Sequence, residues 1–387
     1  MSNTPKAIFV DDDLNTLNSL RRVLRRHCND WDIEYCQSPA AALSLMSEFS
    51  PWIVVSEKRI CEMDGADFLH LVSNQSPEVV RVLLTGAITS EVALDLADIA
   101  HMLIAKPFKP ESLIELLHRA KCLHELPVSP VMRKQLGSIK RIPVLPRVYA
   151  RLTSYLKNDM VDLHEVARII SHDSTIMAKI IQLANSSFFG FSRPVSHPHE
   201  AVVRLGQGLV KNLVLFFGIS KQCDITDIKL RDELLAQAMH IAMISRQLSA
   251  ACGCLFKETN DSFVLGLLHN IGSLMSSMSF IKIEANDDTT DYCEENAVGA
   301  YLLALWEFDE ELVKAVLYQN SPQNSDVITP LCCRLHVAKV VNNAQKNGIS
   351  ALSEASGLNY ELLQSQGLHD DVVLWINQFE SEEQGEN

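Results

Sequence analysis

The chain has 387 residues, beyond the roughly 100 to 200 of an ordinary domain, so two or three domains are expected. Apolar residues make up 47% and charged residues 21%, enough to build real cores and too apolar for a disordered chain. Against 34 Lys and Arg stand 48 Asp and Glu, a formal charge of -14, which excludes the electrostatic footprint of a general nucleic-acid binder. The opening MSNTPKAIFVDDD carries one lysine and an apolar run much shorter than a secretory core, and no apolar run approaches the about 20 residues a bilayer requires. A cytoplasmic protein with no membrane partner is therefore expected. The 10 cysteines include no C-x-x-C pair, so reduced, buried thiols are expected rather than a zinc clip.

The first part alternates short apolar runs with helical periodicity. Strands are predicted at 7–10, 33–36, 52–56, 80–84 and 102–105, with helices at 14–27, 40–48, 66–72, 91–98 and 111–123. Ser38 before Pro39 suits an N-cap and first helical residue, and Asp13 suits the cap of the first helix. Five strands alternating with five helices in about 120 residues predict an α/β fold, a small doubly wound five-stranded parallel sheet with its site at the carboxyl strand ends. Prolines at 127, 130, 143 and 146 interrupt the pattern, and a linker is read at 124–141. Beyond it strand signals nearly vanish. Helical spacing at 147–157, 163–172, 175–185, 229–252, 262–279, 293–306 and 329–345 predicts an all-α second domain. A domain at 142–345 is followed by a helical extension with an acidic tail at 346–387, of which the last residues, EQGEN, read as frayed.

The sheet rim gathers Asp11 and Asp12 after the first strand, Glu57 after the third, Thr85 after the fourth and Lys106 after the fifth. The strings FVDDD, VVSEKRICEMDG, LLTG and KPF resemble the receiver domain of two-component response regulators, flavodoxin-like in fold, over residues 1–123. The resemblance implies that Asp11 and Asp12 hold Mg²⁺, that an aspartate at the end of the third strand accepts a phosphoryl group, and that Thr85 and Lys106 bond its oxygens. Met63, Asp64 and Gly65 align so that Glu57 stands at the acceptor position. A glutamate carries its carboxylate about 1.5 Å further out, and in-line attack tolerates such a displacement poorly. The longer side chain is expected to reach toward Lys106. Leu103 stands where the family usually has an aromatic switch residue. Taken singly, these groups read as caps, turn residues or a solvated glutamate; taken together they read as a vestigial phosphate site. The basic run Arg21, Arg22, Arg25 and Arg26 reads as the polar face of the first helix.

The second part carries IPVLP at 142–146, LANSSFFG at 183–190, AVVRLG at 201–206, GLLHNIG at 266–272 and VGAYLLALW at 298–306. Their order and spacing resemble the HDOD domain, a relative of the HD phosphohydrolases. An HD hydrolase holds a divalent metal on several His and Asp ligands, including an adjacent His-Asp pair. Here that pair reads His269-Asn270, the downstream position reads Gln319-Asn320, and His240 alone is retained among the other ligands. The histidines are therefore expected to be hydrogen-bonded core residues. Asn185 and Ser186 are expected to satisfy a helix end. Phe188, Phe189 and Phe191 form an aromatic cluster, either packed or presented to a partner. The acidic runs 287–291 and 307–311 read as solvated.

A non-catalytic two-component regulator is expected, a pseudo-receiver coupled to an HDOD protein-interaction output. Family analogy implies sensor kinases or cyclic-di-GMP enzymes as partners, with a homodimer plausible because receiver faces commonly pair; nucleic acid is not expected. The alternative is a metal-dependent HD-type phosphodiesterase acting on a cyclic dinucleotide. No cofactor is expected other than Mg²⁺ at Asp11 and Asp12. A DNA-binding regulator is disfavoured by the acidic charge and by the lack of an evident helix-turn-helix.

Overall fold

A computed structural model of the chain describes residues 4–86, 96, 99–138, 147–156, 160–186, 189, 193–222, 228–277, 293–306, 308–325 and 328–385. Two compact units emerge, one built from Met1–Arg147 and Ala304–Glu307, the other from Val148–Leu303 and Phe308–Asn387. The predicted helix at 91–98, apart from Leu96, and the stretches 142–146 and 287–291 lie outside the described residues, as do Phe188 and Phe191.

In the first unit the order is β1 (Lys6–Val10), α1 (Leu14–His27), β2 (Asp32–Cys36), α2 (Pro39–Phe49), β3 (Ile53–Glu57), β4 (Arg59–Ile60), β5 (Met63–Asp64), α3 (Gly65–Gln75), β6 (Val80–Thr85), β7 (Met102–Ala105), α4 (Pro110–Glu125) and α5 (Pro130–Ser138). The five-stranded sheet has the order β2-β1-β3-β6-β7, every pair parallel. A parallel sheet covered on both faces needs continuous apolar strands, and β1, β3 and β6 are buried along almost their whole length. Asp13 and Ser38 cap α1 and α2 through the amides of Asn15 and Ala41. The β4–β5 hairpin between Glu57 and α3 was not predicted, each of its strands being only two residues long.

The stretch read as a linker is largely helical: α4 runs on to Glu125 and α5 follows. Helix α5 packs on α3, and Gly137 comes so close to the backbone of Pro77 that a Cβ there would lie 1.9 Å from its carbonyl oxygen. Arg81 on β6, only 3% exposed, donates to the carbonyls of Pro77, Val79, Ile99 and Gly137 at 2.8 to 3.3 Å. Proline frequency marked a break in the periodicity, but it could not show that the next helix docks on a buried guanidinium.

The second unit comprises α6 (Arg147–Leu156), which begins at the boundary, α7 (Leu163–Ser171), α8 (Ser174–Ala184), α9 (Pro198–Leu205), α10 (Gln207–Gln222), α11 (Ile228–Ala251), α12 (Phe256–Leu268), α13 (Ile271–Ser276), α14 (Glu294–Leu305), α15 (Glu310–Leu317), α16 (Pro330–Asn347), α17 (Tyr360–Ser365) and α18 (His369–Gly385). Helices α11, α12 and α16 form its centre. Helix α16 is buried on nearly all sides. Asp162 caps α7 through the amide of His164, while Glu165, three residues on, pairs with Arg168 instead of closing a capping box. Asn185 closes the end of α8 by bonding both the amide and the carbonyl of Val195, and Ser186 bonds the Leu183 carbonyl.

Three other expectations change. The predicted helix 262–279 breaks at His269-Asn270 into α12 and α13. Helices α9 and α10, bent by 114° about Gly206, lacked a predicted counterpart. Of the EQGEN end read as frayed, Glu383 to Gly385 continue α18. Among the described residues no single helix is long and apolar enough to cross a membrane; the bent pair α9 and α10 reaches that length only together.

Candidate functional sites

At the carboxyl rim of the sheet the structure brings together Asp11, Asp12, Glu57, Thr85 and Lys106. Glu57 is held from behind. Gly65 opens α3 against its carbonyl, where a Cβ would lie 2.0 Å from the oxygen, and the Ser56 hydroxyl donates to the same carbonyl at 2.9 Å. The backbone of Lys106 is fixed by its N–H donating to the Thr85 carbonyl at 2.7 Å, and Thr85 itself is buried.

With both backbones fixed, the long side chains meet: the Lys106 ammonium forms an ion pair with the Glu57 carboxylate and lies 3.8 Å from Asp11 Oδ2. Asp11 Oδ1 accepts from the Asp13 amide at 2.9 Å and Asp12 Oδ2 from the Cys61 amide at 2.8 Å. Burial raises the Asp11 carboxyl above its ordinary value, opposed by the Asp13 amide and Lys106 and reinforced by Glu57 and Asp12. This arrangement does not make up a Mg²⁺ cage. An oxygen of each aspartate is engaged by backbone, Glu57 is engaged by lysine, and among the described residues no three His, Cys, Asp or Glu side chains converge to hold a metal. Leu103 on β7 packs partly buried against the apolar core.

The second cluster lies at the centre of the helical unit. His269, buried at the α12–α13 break, donates Nδ1–H to the Gly266 carbonyl at 2.6 Å, and burial, with Lys339 nearby, lowers its pKa to about 3. Asn270 donates Nδ2–H to the Leu234 carbonyl at 2.8 Å. His240 on α11 is paired through Nδ1 with Asn342 Oδ1 of α16 at 2.9 Å. The Gln319 amide nitrogen faces three acceptors, the carbonyls of His269 and Val316 and the Asn296 side chain, at 2.8 to 3.0 Å. Its oxygen is thereby turned to a donor, the Lys339 ammonium, at 2.8 Å, and Asn320 Oδ1 accepts from the same ammonium. Lys339 and Asn342 were missed in the sequence. Their spacing on one face of α16 was visible, but nothing local sets that face against residues 240 and 319.

Residues 7–118 match the response regulator receiver domain and residues 142–322 the HDOD domain. The chain is a receiver domain followed by an HDOD domain. Transcriptional regulatory protein FlgR of Helicobacter pylori is 32% identical over 117 residues, 30% of this chain and 29% of that protein. An uncharacterized protein of Treponema pallidum is 26% identical over 209 residues, 50% of this chain and 40% of that protein. The chain thus spans at most about two fifths of these curated relatives. An HDOD domain protein of unknown function from Geobacter sulfurreducens, whose crystal structure is known, shares 19% identity, with a TM-score of 0.48 over 65% of this chain and 94% of its own.

In the receiver domain Lys106 meets Glu57 and Asp11, with Asp12 bonded to the Cys61 amide and the Thr85 carbonyl to the Lys106 amide. In the HDOD domain His269, Gln319 and Asn320 gather about Lys339, whereas His240 is engaged with Asn342. Of the aromatic cluster, Phe189 is described, and it packs edge-on against Phe263 and beneath the Arg246 guanidinium.

Proposed function

We propose that this chain is a non-catalytic two-component regulator, a pseudo-receiver joined to an HDOD domain that works by binding other signalling proteins. The ion pair between Glu57 and Lys106 carries the reading. A receiver needs its conserved lysine free to meet an incoming phosphoryl group, and here a carboxylate of the chain itself holds it. The Glu57 charge sits near the place the phosphoryl oxygens would take, which favours one fixed conformation of the rim over a switch. Mg²⁺ binds Asp11 and Asp12 weakly at best.

In the HDOD domain the Asn270 amide replaces the anionic ligand of the His-Asp pair, Gln319 and Asn320 stand where active relatives carry histidines, and a lysine stands among them. These residues speak against an HD-type phosphodiesterase acting on a cyclic dinucleotide. Sensor kinases or cyclic-di-GMP enzymes are the partner classes family analogy offers, together with a second copy of this chain. The net charge of -14 weighs against nucleic acid.

The test is incubation of the full chain with acetyl phosphate and Mg²⁺ followed by mass spectrometry. Residue 57 should stay unmodified; an acyl phosphate there ends the pseudo-receiver reading.

A further inference from the structure

The Lys339 ammonium is a half-buried cation. Among the described residues no carboxylate lies within ion-pair distance of it, and its partners are the neutral oxygens of Gln319 and Asn320. Neither neighbouring imidazole supplies charge. His269 and His336, both buried, are lowered to about 3 and about 4 by burial first and by the nearby lysine second. Glu295, which precedes Asn296 on α14, is bonded instead to the Ser273 hydroxyl on α13. A charge removed from water and left without an opposite charge is costly, and the usual remedies are neutralisation or a bound counter-ion. Burial does lower Lys339, to about 8, yet a group titrating there is still mostly protonated at neutral pH.

The geometry fixes where a counter-ion would enter. Three acceptors hold the nitrogen of Gln319, so that amide cannot turn to offer a donor. Two of the three ammonium N–H groups are engaged by the amide oxygens, which leaves the third. Asn320 is exposed and its oxygen accepts from Lys339, so its own N–H groups are left as donors.

We infer that Lys339 and Asn320 form a binding site for a small oxyanion, of the phosphate or phosphate-monoester class, in the centre where HD hydrolases hold a metal cation. The lysine supplies the positive charge such metals supply, but no Lewis acid and no activated water, so the site binds and does not hydrolyse. Repulsion by the same ammonium excludes a divalent ion. This inference stands apart from the receiver reading, since it uses only residues of the helical unit.

The test is thermal unfolding of the full chain titrated, at constant ionic strength, with inorganic phosphate or with a nucleoside 5′-monophosphate. Both should stabilise saturably, and tighter binding of the nucleotide would identify a monoester as the occupant, inorganic phosphate otherwise. Lys339→Met should weaken that binding about tenfold or more. No saturable stabilisation by either anion, or equal stabilisation of Lys339→Met, overturns the site. If Lys339→Met does not fold, acylation of Lys339 in the wild-type chain decides. Phosphate should slow that modification severalfold, and an unchanged rate sinks the inference.

Discussion

Glu57 and Lys106, 49 residues apart in the chain, form an ion pair at the rim of the receiver sheet, with the lysine ammonium also 3.8 Å from Asp11. Each backbone is fixed independently, Glu57 by the close approach of Gly65 and Lys106 by the Thr85 carbonyl. The pair therefore follows from side-chain length, and shortening one partner should undo it.

Glu57→Asp withdraws the carboxylate by one methylene and frees Lys106. The variant should bind Mg²⁺ more tightly than wild type and gain a covalent phosphoryl group from acetyl phosphate, read by intact-mass spectrometry. A variant as inert as wild type means that Asp11 and Asp12 are no longer placed for the metal.

Gly137→Ala introduces a methyl group against the Pro77 carbonyl, where the backbone leaves no room. Helix α5 should lift from α3 and break the Arg81–Gly137 bond, a loss of about 1–3 kcal/mol in urea unfolding of the first unit. Amide exchange should rise over 130–138 while β1 and β3 stay protected. Unchanged exchange would show that α5 tolerates the displacement.

Asn270→Asp recreates the His-Asp pair in sequence alone. The Asn270 amide donates to the Leu234 carbonyl, and a carboxylate there would face an acceptor instead, at a cost of about 1–3 kcal/mol. The variant should be less stable and hold no stoichiometric Mn²⁺ or Fe. Metal retained through gel filtration would contradict the view that Lys339 occupies the centre.

Stability of the helical unit should fall on acidification. His269 and His336 are held neutral by burial, at about 3 and about 4, whereas unfolded histidine titrates near 6.5. Between those values the unfolded chain binds more protons, so the contribution is complete above about pH 6.5 and lost as pH falls toward 4 and then 3. Each group adds a slope of at most about 1.4 kcal/mol per pH unit. His336→Asn should flatten the upper part of that profile, and an unchanged slope would place the proton uptake elsewhere.

The sequence by itself determined the alternation of strands and helices and which residues follow the strand ends. Each strand–helix repeat is written in local periodicity, and in a parallel sheet residues just after the strands must share one edge. The departures from the HD pattern, Asn270 in place of an acid and Gln319 and Asn320 in place of histidines, were legible from residue type alone. Only the tertiary structure decided what those residues do. It showed that Glu57 reaches Lys106, that the break read as a linker contains a helix seated on Arg81, and that α16 delivers Lys339 and Asn342 to Gln319 and His240. These contacts join positions far apart in the chain, and local periodicity carries no record of which helix faces meet across a core.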